Sequence, residues 1–290
     1  MHGKKTFVTL AAGLLALGAQ ATEFSGAQAL EYTRHAVAFG PRPPGSAALE
    51  KLRAYIVAEL KPRGCQVTMD AFTARTPIGP IAMKNIVCRF PGTSGRAVAI
   101  TGHYDTKLFR DFRFVGADDG GSSTGFLLEM ARALQGRPRV DDVYLVWFDG
   151  EEAIGEWSAV DGLHGSRNLA ARWAADGTLG RLKALINVDM IGDKELGIMK
   201  ELNSSPRLTA LVWDTAQRLG YNKYFLESGG ATEDDHIPFL RRGVESLDLI
   251  DFDKNYWHTP NDTMDKLSAH SFGVVGTVLM KVLDRLEGQR

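Results

Sequence analysis

Residues 97–105, AVAITGHYD, decide the fold, because a short apolar run there ends abruptly in histidine and aspartate. Residues 143–152, VYLVWFDGEE, repeat the pattern with three acids after the apolar run. Unbroken apolar runs of this length are typical of strands buried on both faces of a parallel sheet. Ligands in open α/β sheets bind beyond the carboxyl ends of the strands. The acids and histidine at these strand ends therefore predict a ligand site.

Helical and strand-like patterns alternate along the rest of the chain. Apolar residues recur at helical spacing in segments 27–39, 47–60, 123–134, 166–174, 207–219 and 266–286. The strand-like segments are 66–72, 85–90, 97–101, 143–148, 184–188 and 244–250, and the first two are expected to form a hairpin. This alternation predicts an α/β fold, a three-layer sandwich with a mixed, mostly parallel central sheet flanked by helices.

The composition excludes several classes of protein. Of 290 residues, 44% are hydrophobic and 24% are charged, which is ordinary for a folded globular chain. The 34 Lys and Arg nearly balance the 35 Asp and Glu, giving a net charge of -1. Binding of nucleic acid through bulk charge is therefore disfavoured, and the absence of repeats or low-complexity tracts excludes solenoids and stalks.

The N-terminus has the order of a secretory signal peptide. Lys4 and Lys5 precede an apolar run at 7–17 and small residues around 19–21. We expect a signal peptide at 1–21, a single catalytic domain at 22–290 and a secreted or periplasmic protein without membrane attachment after cleavage. The run is shorter than the roughly 20 residues of a spanning helix, although an uncleaved anchor is the alternative.

The two cysteines, Cys65 and Cys88, lie on the two strand-like segments of the predicted hairpin. Export would permit a disulfide between them. Two buried thiols are the alternative, and the sequence leaves both open.

Metal-ligating residue types cluster at the predicted strand ends and before one helix. They are His103 and Asp105, Asp118 and Asp119, Glu151 and Glu152, Asp189, and His258. Crowded carboxylates repel one another and lose hydration, so a cation is the simplest compensation. Oxygen and imidazole donors without thiolates suit a catalytic zinc, and in the Glu-Glu pair one carboxylate can bind metal while the other works as acid or base.

Each of these patterns has an ordinary structural alternative. Asp118-Asp119 and Asp234-Asp235 could be helix N-caps, and Trp157 and Trp257 could be packing residues. Their joint occurrence with the strand ends favours a site.

The same residues, in this order, resemble the zinc-dependent aminopeptidase family and, within it, the animal-type glutaminyl cyclases (glutaminyl-peptide cyclotransferases). The most specific stretches are GHYD at 102–105, FDGEEA at 148–153, GSR at 165–167, DDHIPFLRRG at 234–243 and WHT at 257–259. The resemblance implies a zinc-exopeptidase-like fold and one zinc ion held by Asp119, Glu152 and His258. It also implies Glu151 as acid and base, Asp234 and Asp189 in an acidic network with it, and Trp157 and Trp257 as walls of the substrate pocket.

The resemblance implies an enzyme that converts the N-terminal glutamine of peptides or proteins to pyroglutamate. We expect N-terminal glutamate to be a further substrate and the protein to be a monomer. The first alternative is an aminopeptidase with a second metal on His103 and Asp189; the second is a catalytically silent interaction domain, which is disfavoured because every expected ligand is present. The sequence departs from the animal pattern at Asp248, where a histidine is usual, and at Gly120, where a serine is usual.

Overall fold

The computed structural model describes residues 23–288, and the signal-peptide prediction at 1–21 lies outside them. The strands are β1 (Gln66–Thr76), β2 (Gly79–Phe90), β3 (Ala97–His103), β4 (Asp142–Phe148), β5 (Leu182–Asp189), β6 (Ile198–Glu201), β7 (Phe225–Gly230) and β8 (Ser246–Ile250). The helices are α1 (Gly26–Ala38), α2 (Ala47–Leu60), α3 (Gly121–Leu134), α4 (His164–Ala175), α5 (Pro206–Arg218), α6 (Ile237–Leu240) and α7 (Ala269–Leu286).

Six strands form the central sheet in the order β1-β2-β4-β3-β5-β8. The pairs β1–β2 and β2–β4 are antiparallel, whereas β4–β3, β3–β5 and β5–β8 are parallel. Strands β3 and β4 are buried at every position, which explains their unbroken apolar runs. The predicted mixed, mostly parallel sheet is confirmed.

Helices cover both faces of this sheet. Side chains on successive residues of a strand point to opposite faces. Val98 and Ile100 accordingly belong to the apolar cluster that contains α1, α2, α3, α5 and α7, while Ala97 and Ala99 belong to the cluster that contains α4 and α6. The predicted three-layer sandwich is confirmed.

The ends of several elements differ from the sequence prediction. The last helix begins at Ala269 rather than at residue 266, because Met264–Lys266 forms a 3-10 turn and the Ser268 side chain caps the helix by accepting from the N–H of His270. The hairpin strands are longer than predicted, and only Pro77 and Ile78 separate them. Their outer halves are largely exposed on both faces, so they lack the apolar pattern that marks a strand.

A small two-stranded parallel sheet, β6–β7, was not predicted from the sequence. Strand β6 has only four residues, and β7 ends in Gly229 and Gly230, which have low strand propensity. The sheet lies beside β8, and residues 231–236, which include Asp234, follow directly after it.

Cys65 and Cys88 form a disulfide, with their Cα atoms 5.7 Å apart. The cross-link joins the residue before β1 to a residue near the carboxyl end of β2, so the open end of the hairpin is covalently closed. No helix within residues 23–288 is both long and apolar enough to cross a membrane.

Candidate active site

The carboxyl ends of the parallel strands deliver the candidate residues to one edge of the sheet. His103 is the last residue of β3, Asp189 is the last residue of β5, and Glu151 and Glu152 follow β4. Asp119 precedes α3, and the loop after β8 carries His258. Parallel strands end at the same edge, so residues distant in sequence meet there.

One cavity of about 390 Å³ receives all eight of the predicted site residues. They are Asp119, Glu151, Glu152, Trp157, Asp189, Asp234, Trp257 and His258. Trp157 and Trp257 are 42% and 38% exposed, which is unusual for such large apolar side chains in a protein of this size. Their exposure is explained by their position on the walls of the cavity.

Asp119, Glu152 and His258 form a cluster with the dimensions of a zinc site. His258 Nε2 lies 3.1 Å from Glu152 Oε1 and 3.2 Å from Asp119 Oδ2. Ligands of a tetrahedral zinc with bonds of about 2.0 Å stand about 3.3 Å apart. Asp119 Oδ2 is buried and accepts no well-formed hydrogen bond. The donor set, its spacing and this unsatisfied oxygen all fit a zinc ion.

A second cluster shares Asp119. His103 Nε2 lies 3.2 Å from Asp119 Oδ1 and 3.2 Å from Asp189 Oδ1, and all three residues are buried. Asp119 thus directs one oxygen toward each cluster. Geometry alone therefore accommodates the two-metal alternative as well as a single ion.

The electrostatics of the site indicate a shortage of positive charge. Burial lowers the pKa of His258, but its contacts with Asp119 and Glu152 outweigh burial and raise that pKa to about 9. Burial, together with the neighbouring Asp234 and Asp119 carboxylates, raises the pKa of Asp189 to about 7 even though His103 opposes the shift. Such a group of acids favours bound protons or a cation.

Glu151 lies in the acidic part of the cavity. It is 8% exposed, and burial, followed by repulsion from Glu152 and Asp234, raises its pKa well above the usual range although His103 opposes this. A raised pKa of this kind is typical of carboxyl groups that act as general acid and base.

Asp248, the departure from the animal pattern, is fully buried behind this acidic group. It accepts from Asn187 Nδ2 at 3.1 Å and from Thr232 Oγ1 at 3.4 Å. Burial, then the carboxylates of Asp234 and Asp189, raises its pKa well above the usual range. Asp248 thus extends the acidic network.

Aromatic rings surround the imidazole of His258. Trp257 stacks on it with centroids 4.0 Å apart, and Phe109 and Phe114 meet it edge-on at 5.5 and 5.8 Å. His258 also has a positive φ of 53°, which is uncommon for a residue other than glycine. Packing and backbone together fix the direction of its Nε2 atom.

Sequence reasoning missed other residues that line the cavity. Lys107 Nζ donates to the carbonyl of Ala153 at 3.0 Å and lies 3.8 Å from Glu152 Oε2. Glu156 and Phe252 also line the cavity. Lys107 follows the GHYD stretch by two residues, so its closeness to a predicted site segment was the signal that could have identified it.

The geometry of Gly120 explains why no side chain stands there. Its φ is +77°, and a Cβ atom would lie 2.3 Å from the carbonyl oxygen of Asp105 and 3.0 Å from the His103 ring. Glycine lets the chain turn from Asp119 into α3 without displacing these residues.

The chain is similar to known proteins along most of its length. The family described as "Peptidase family M28" matches residues 85–283. A glutaminyl-peptide cyclotransferase of Drosophila melanogaster is 32% identical over 250 residues, covering 77% of this chain and 70% of the relative.

Two solved structures extend the comparison. The glutaminyl cyclase of an Acidobacteriales bacterium is 38% identical, with a TM-score of 0.90 over 98% of this chain and 100% of that one. A Zn-dependent exopeptidase from Parabacteroides distasonis is 27% identical, with a TM-score of 0.83 over 91% of this chain and 99% of that one. The chain belongs to peptidase family M28 and, within it, to the glutaminyl-peptide cyclotransferases.

Proposed function

We propose that this protein is a zinc-dependent glutaminyl-peptide cyclotransferase that uses one metal ion, and that the eight cavity residues carry the roles the sequence predicted. The observation that carries the proposal is the placement of Asp119, Glu152 and His258 at ligand spacing in a cavity walled by two tryptophans. Zinc held there would supply a Lewis acid for the side-chain carbonyl of an N-terminal glutamine.

The cavity suits an N-terminal residue that has a short, uncharged side chain and a free α-amine. Trp157 and Trp257 provide apolar walls for the methylene groups of glutamine. Glu151, Asp189 and Asp234 line the same cavity and provide oxygen atoms that can accept hydrogen bonds from the amine. The rest of the peptide extends out of the cavity, so peptides and proteins that begin with glutamine are the expected substrates.

The reaction forms one carbon–nitrogen bond at Cδ of the glutamine residue and breaks another at the same atom. The α-amine nitrogen bonds to Cδ of the glutamine side chain, and the bond from Cδ to the amide nitrogen breaks. Glu151 accepts a proton from the attacking amine and donates it to the departing nitrogen, which leaves as ammonia. The products are pyroglutamate and ammonia, and water takes no part.

The protein's contribution is then orientation and the exclusion of water. Ring closure needs one rotamer of the glutamine side chain, and the tryptophan walls restrict the others. The same walls exclude water, which would otherwise compete for the carbonyl carbon.

The shared Asp119 keeps an aminopeptidase with two metals as the second candidate function, because the His103–Asp119–Asp189 cluster could hold another ion. In that case Glu151 would activate water and the products would be a free amino acid and a shortened peptide. The similarity to glutaminyl cyclases favours cyclisation over this alternative.

Mass spectrometry of a Gln-initiated peptide incubated with the zinc-loaded protein distinguishes the two. We expect the peptide to lose the mass of one ammonia, while the same peptide with an acetylated N-terminus stays unchanged because its amine is blocked. Release of free glutamine would instead identify an aminopeptidase, and an unaltered peptide would contradict both. A Glu-initiated peptide, losing water, tests the further substrate.

Export and a monomeric state complete the proposal. The signal-like residues at 1–21 support secretion or a periplasmic location, which is consistent with the Cys65–Cys88 disulfide. Sequencing the N-terminus of the exported protein tests the cleavage site, and analytical ultracentrifugation tests the monomer.

A further inference from the structure

Asp262 lies four residues after His258 and is 1% exposed. Its Oδ1 accepts from the N–H of Asp118 at 2.8 Å and its Oδ2 accepts from the N–H of Asp119 at 3.2 Å. Its backbone carbonyl also accepts from the N–H of Ala117 at 3.3 Å. Three consecutive amide groups of the loop that carries Asp119 therefore bond to this one residue.

The loop that carries the other carboxylate ligand is held in the same way. Asp105 is fully buried, and its two oxygens accept from the N–H groups of Glu151 and Glu152 at 3.2 and 3.3 Å. In both cases a buried aspartate from a different loop bonds to the amide of the ligand residue and to the amide before it. Asp262 differs because its own loop also carries a ligand.

Turns connect Asp262 closely to His258. The N–H of Thr259 donates to the carbonyl of Tyr256 at 3.1 Å, and the N–H of Asp262 donates to the carbonyl of Thr259 at 3.3 Å. A displacement of Asp262 would therefore be transmitted both to His258 and to Asp119.

Arg42 completes the support of the Asp119 loop from its carbonyl side. Its buried guanidinium donates to the carbonyls of Val115 at 2.7 Å and Gly116 at 3.1 Å. The carbonyl groups at 115 and 116 and the amide groups from 117 to 119 thus all have fixed partners. Since unpaired buried backbone groups are costly, this segment has little freedom to adjust if one partner is lost.

We propose that Asp262 is a positioning residue for the metal centre, which sets the separation of Asp119 from His258 and so the affinity for zinc. This inference rests on the proposed function, because it presupposes zinc at the Asp119–Glu152–His258 cluster. Substitution of groups that orient metal ligands typically weakens metal binding by about 10- to 100-fold.

The Asp262→Asn variant is the direct test. An asparagine amide would place its NH₂ group against a backbone N–H, two donors facing each other, so the loop must move. We expect the zinc Kd, measured by competition with a chromophoric chelator, to rise about 10- to 100-fold. Activity should return at excess zinc, because all three ligands remain.

Asp142→Asn is the matched control. Asp142 is also 1% exposed and accepts from a backbone N–H, that of Gly92 at 2.7 Å, but it lies at the start of β4, at the opposite edge of the sheet from the site. It should lower the melting temperature and leave the zinc Kd unchanged. A zinc Kd for Asp262→Asn equal to that of this control would overturn the inference.

A further variant keeps the test decisive if Asp262→Asn does not fold. Asp262→Glu retains the carboxylate but displaces it by one methylene group, so it should weaken zinc binding less than asparagine does and still more than the Asp142→Asn control. Zinc binding by Asp262→Glu equal to that of the control would overturn the inference. Failure of the wild type itself to bind zinc would contradict the proposed function instead.

Discussion

Glu151 and Glu152 are adjacent in sequence and share one cavity, yet the structure gives their side chains different surroundings. Glu152 contacts His258, whereas Glu151 faces the acidic group that includes Asp234. These different surroundings support the proposed division into one metal ligand and one proton carrier.

The Glu151→Gln variant tests this division. We expect it to retain zinc, because Glu151 is outside the ligand cluster, and to lose about two to four orders of magnitude in kcat, the usual size of acid and base catalysis. Steady-state kinetics and metal analysis of the same preparation measure both quantities. Glu152→Gln is the contrasting variant and should lose zinc and activity together. Near-normal turnover by Glu151→Gln would assign the proton transfer to another group.

At the scale of elements, the Cys65–Cys88 disulfide closes the hairpin of β1 and β2. Its cysteines are 23 residues apart, a loop for which loss of the cross-link costs about 3 kcal/mol in the chain-entropy description. We expect a reductant to lower the free energy of unfolding by about this amount, as measured in urea. The Cys65→Ala/Cys88→Ala double variant is the control, and its stability should not respond to reductant. Equal stability of the oxidised and reduced wild type would refute the prediction.

Glu201, the last residue of β6, contacts His236 and so joins the β6–β7 sheet to the segment that carries Asp234. Burial raises the pKa of Glu201, but the contact with His236 and several hydrogen bonds outweigh it and lower that pKa from 4.5 to about 2. A lowered pKa in the folded state means that the carboxylate stabilises the fold above about pH 4.5. This contribution is lost as the pH falls toward 2.

The Glu201→Gln variant should therefore be less stable than wild type at neutral pH, by on the order of 1 to 2 kcal/mol once solvent screening is included. The difference should shrink below pH 4.5 and vanish near pH 2, as followed by urea unfolding across pH. Glu227→Gln, an exposed carboxylate on β7, serves as the control and should change stability little. A difference that does not depend on pH would contradict the account.

The elements that could be predicted from the sequence are those with uniform burial or a regular spacing of apolar residues. Strands β3 and β4 are buried throughout, and helix α3 keeps a regular apolar spacing, so their patterns are strong. The hairpin's exposed outer half and the four residues of β6 give no such pattern. Their pairing depends on tertiary contacts that no local window contains.

The same limit applies to the site. That Asp119, Glu152 and His258 lie together could be predicted, because they follow recognisable strands or precede a helix, and the family resemblance singled them out as a ligand set. Asp262 and Arg42 could not, because their partners are backbone groups up to 144 residues away in the chain. From the sequence alone, a buried aspartate or arginine that bonds to backbone groups cannot be distinguished from one on the surface.

At the scale of the whole molecule, three loops that are far apart in sequence converge on the proposed metal site, so zinc should stabilise the global fold. Ligand binding at 100 times the Kd contributes about 2.7 kcal/mol. For a chain of this size we expect chelation to lower the melting temperature by about 5 to 10 °C and zinc to restore it. Calorimetry measures this shift, and the Asp119→Asn variant should not show it. A wild-type melting temperature that is unaffected by zinc would argue against the site.

The most direct test of the metal centre is anomalous diffraction from crystals of the zinc-loaded protein, recorded on both sides of the zinc absorption edge. We predict one peak, about 2.0 to 2.2 Å from donor atoms of Asp119, Glu152 and His258. A peak elsewhere, or a second peak of equal height between His103 and Asp189, would contradict a cyclotransferase that works with a single ion.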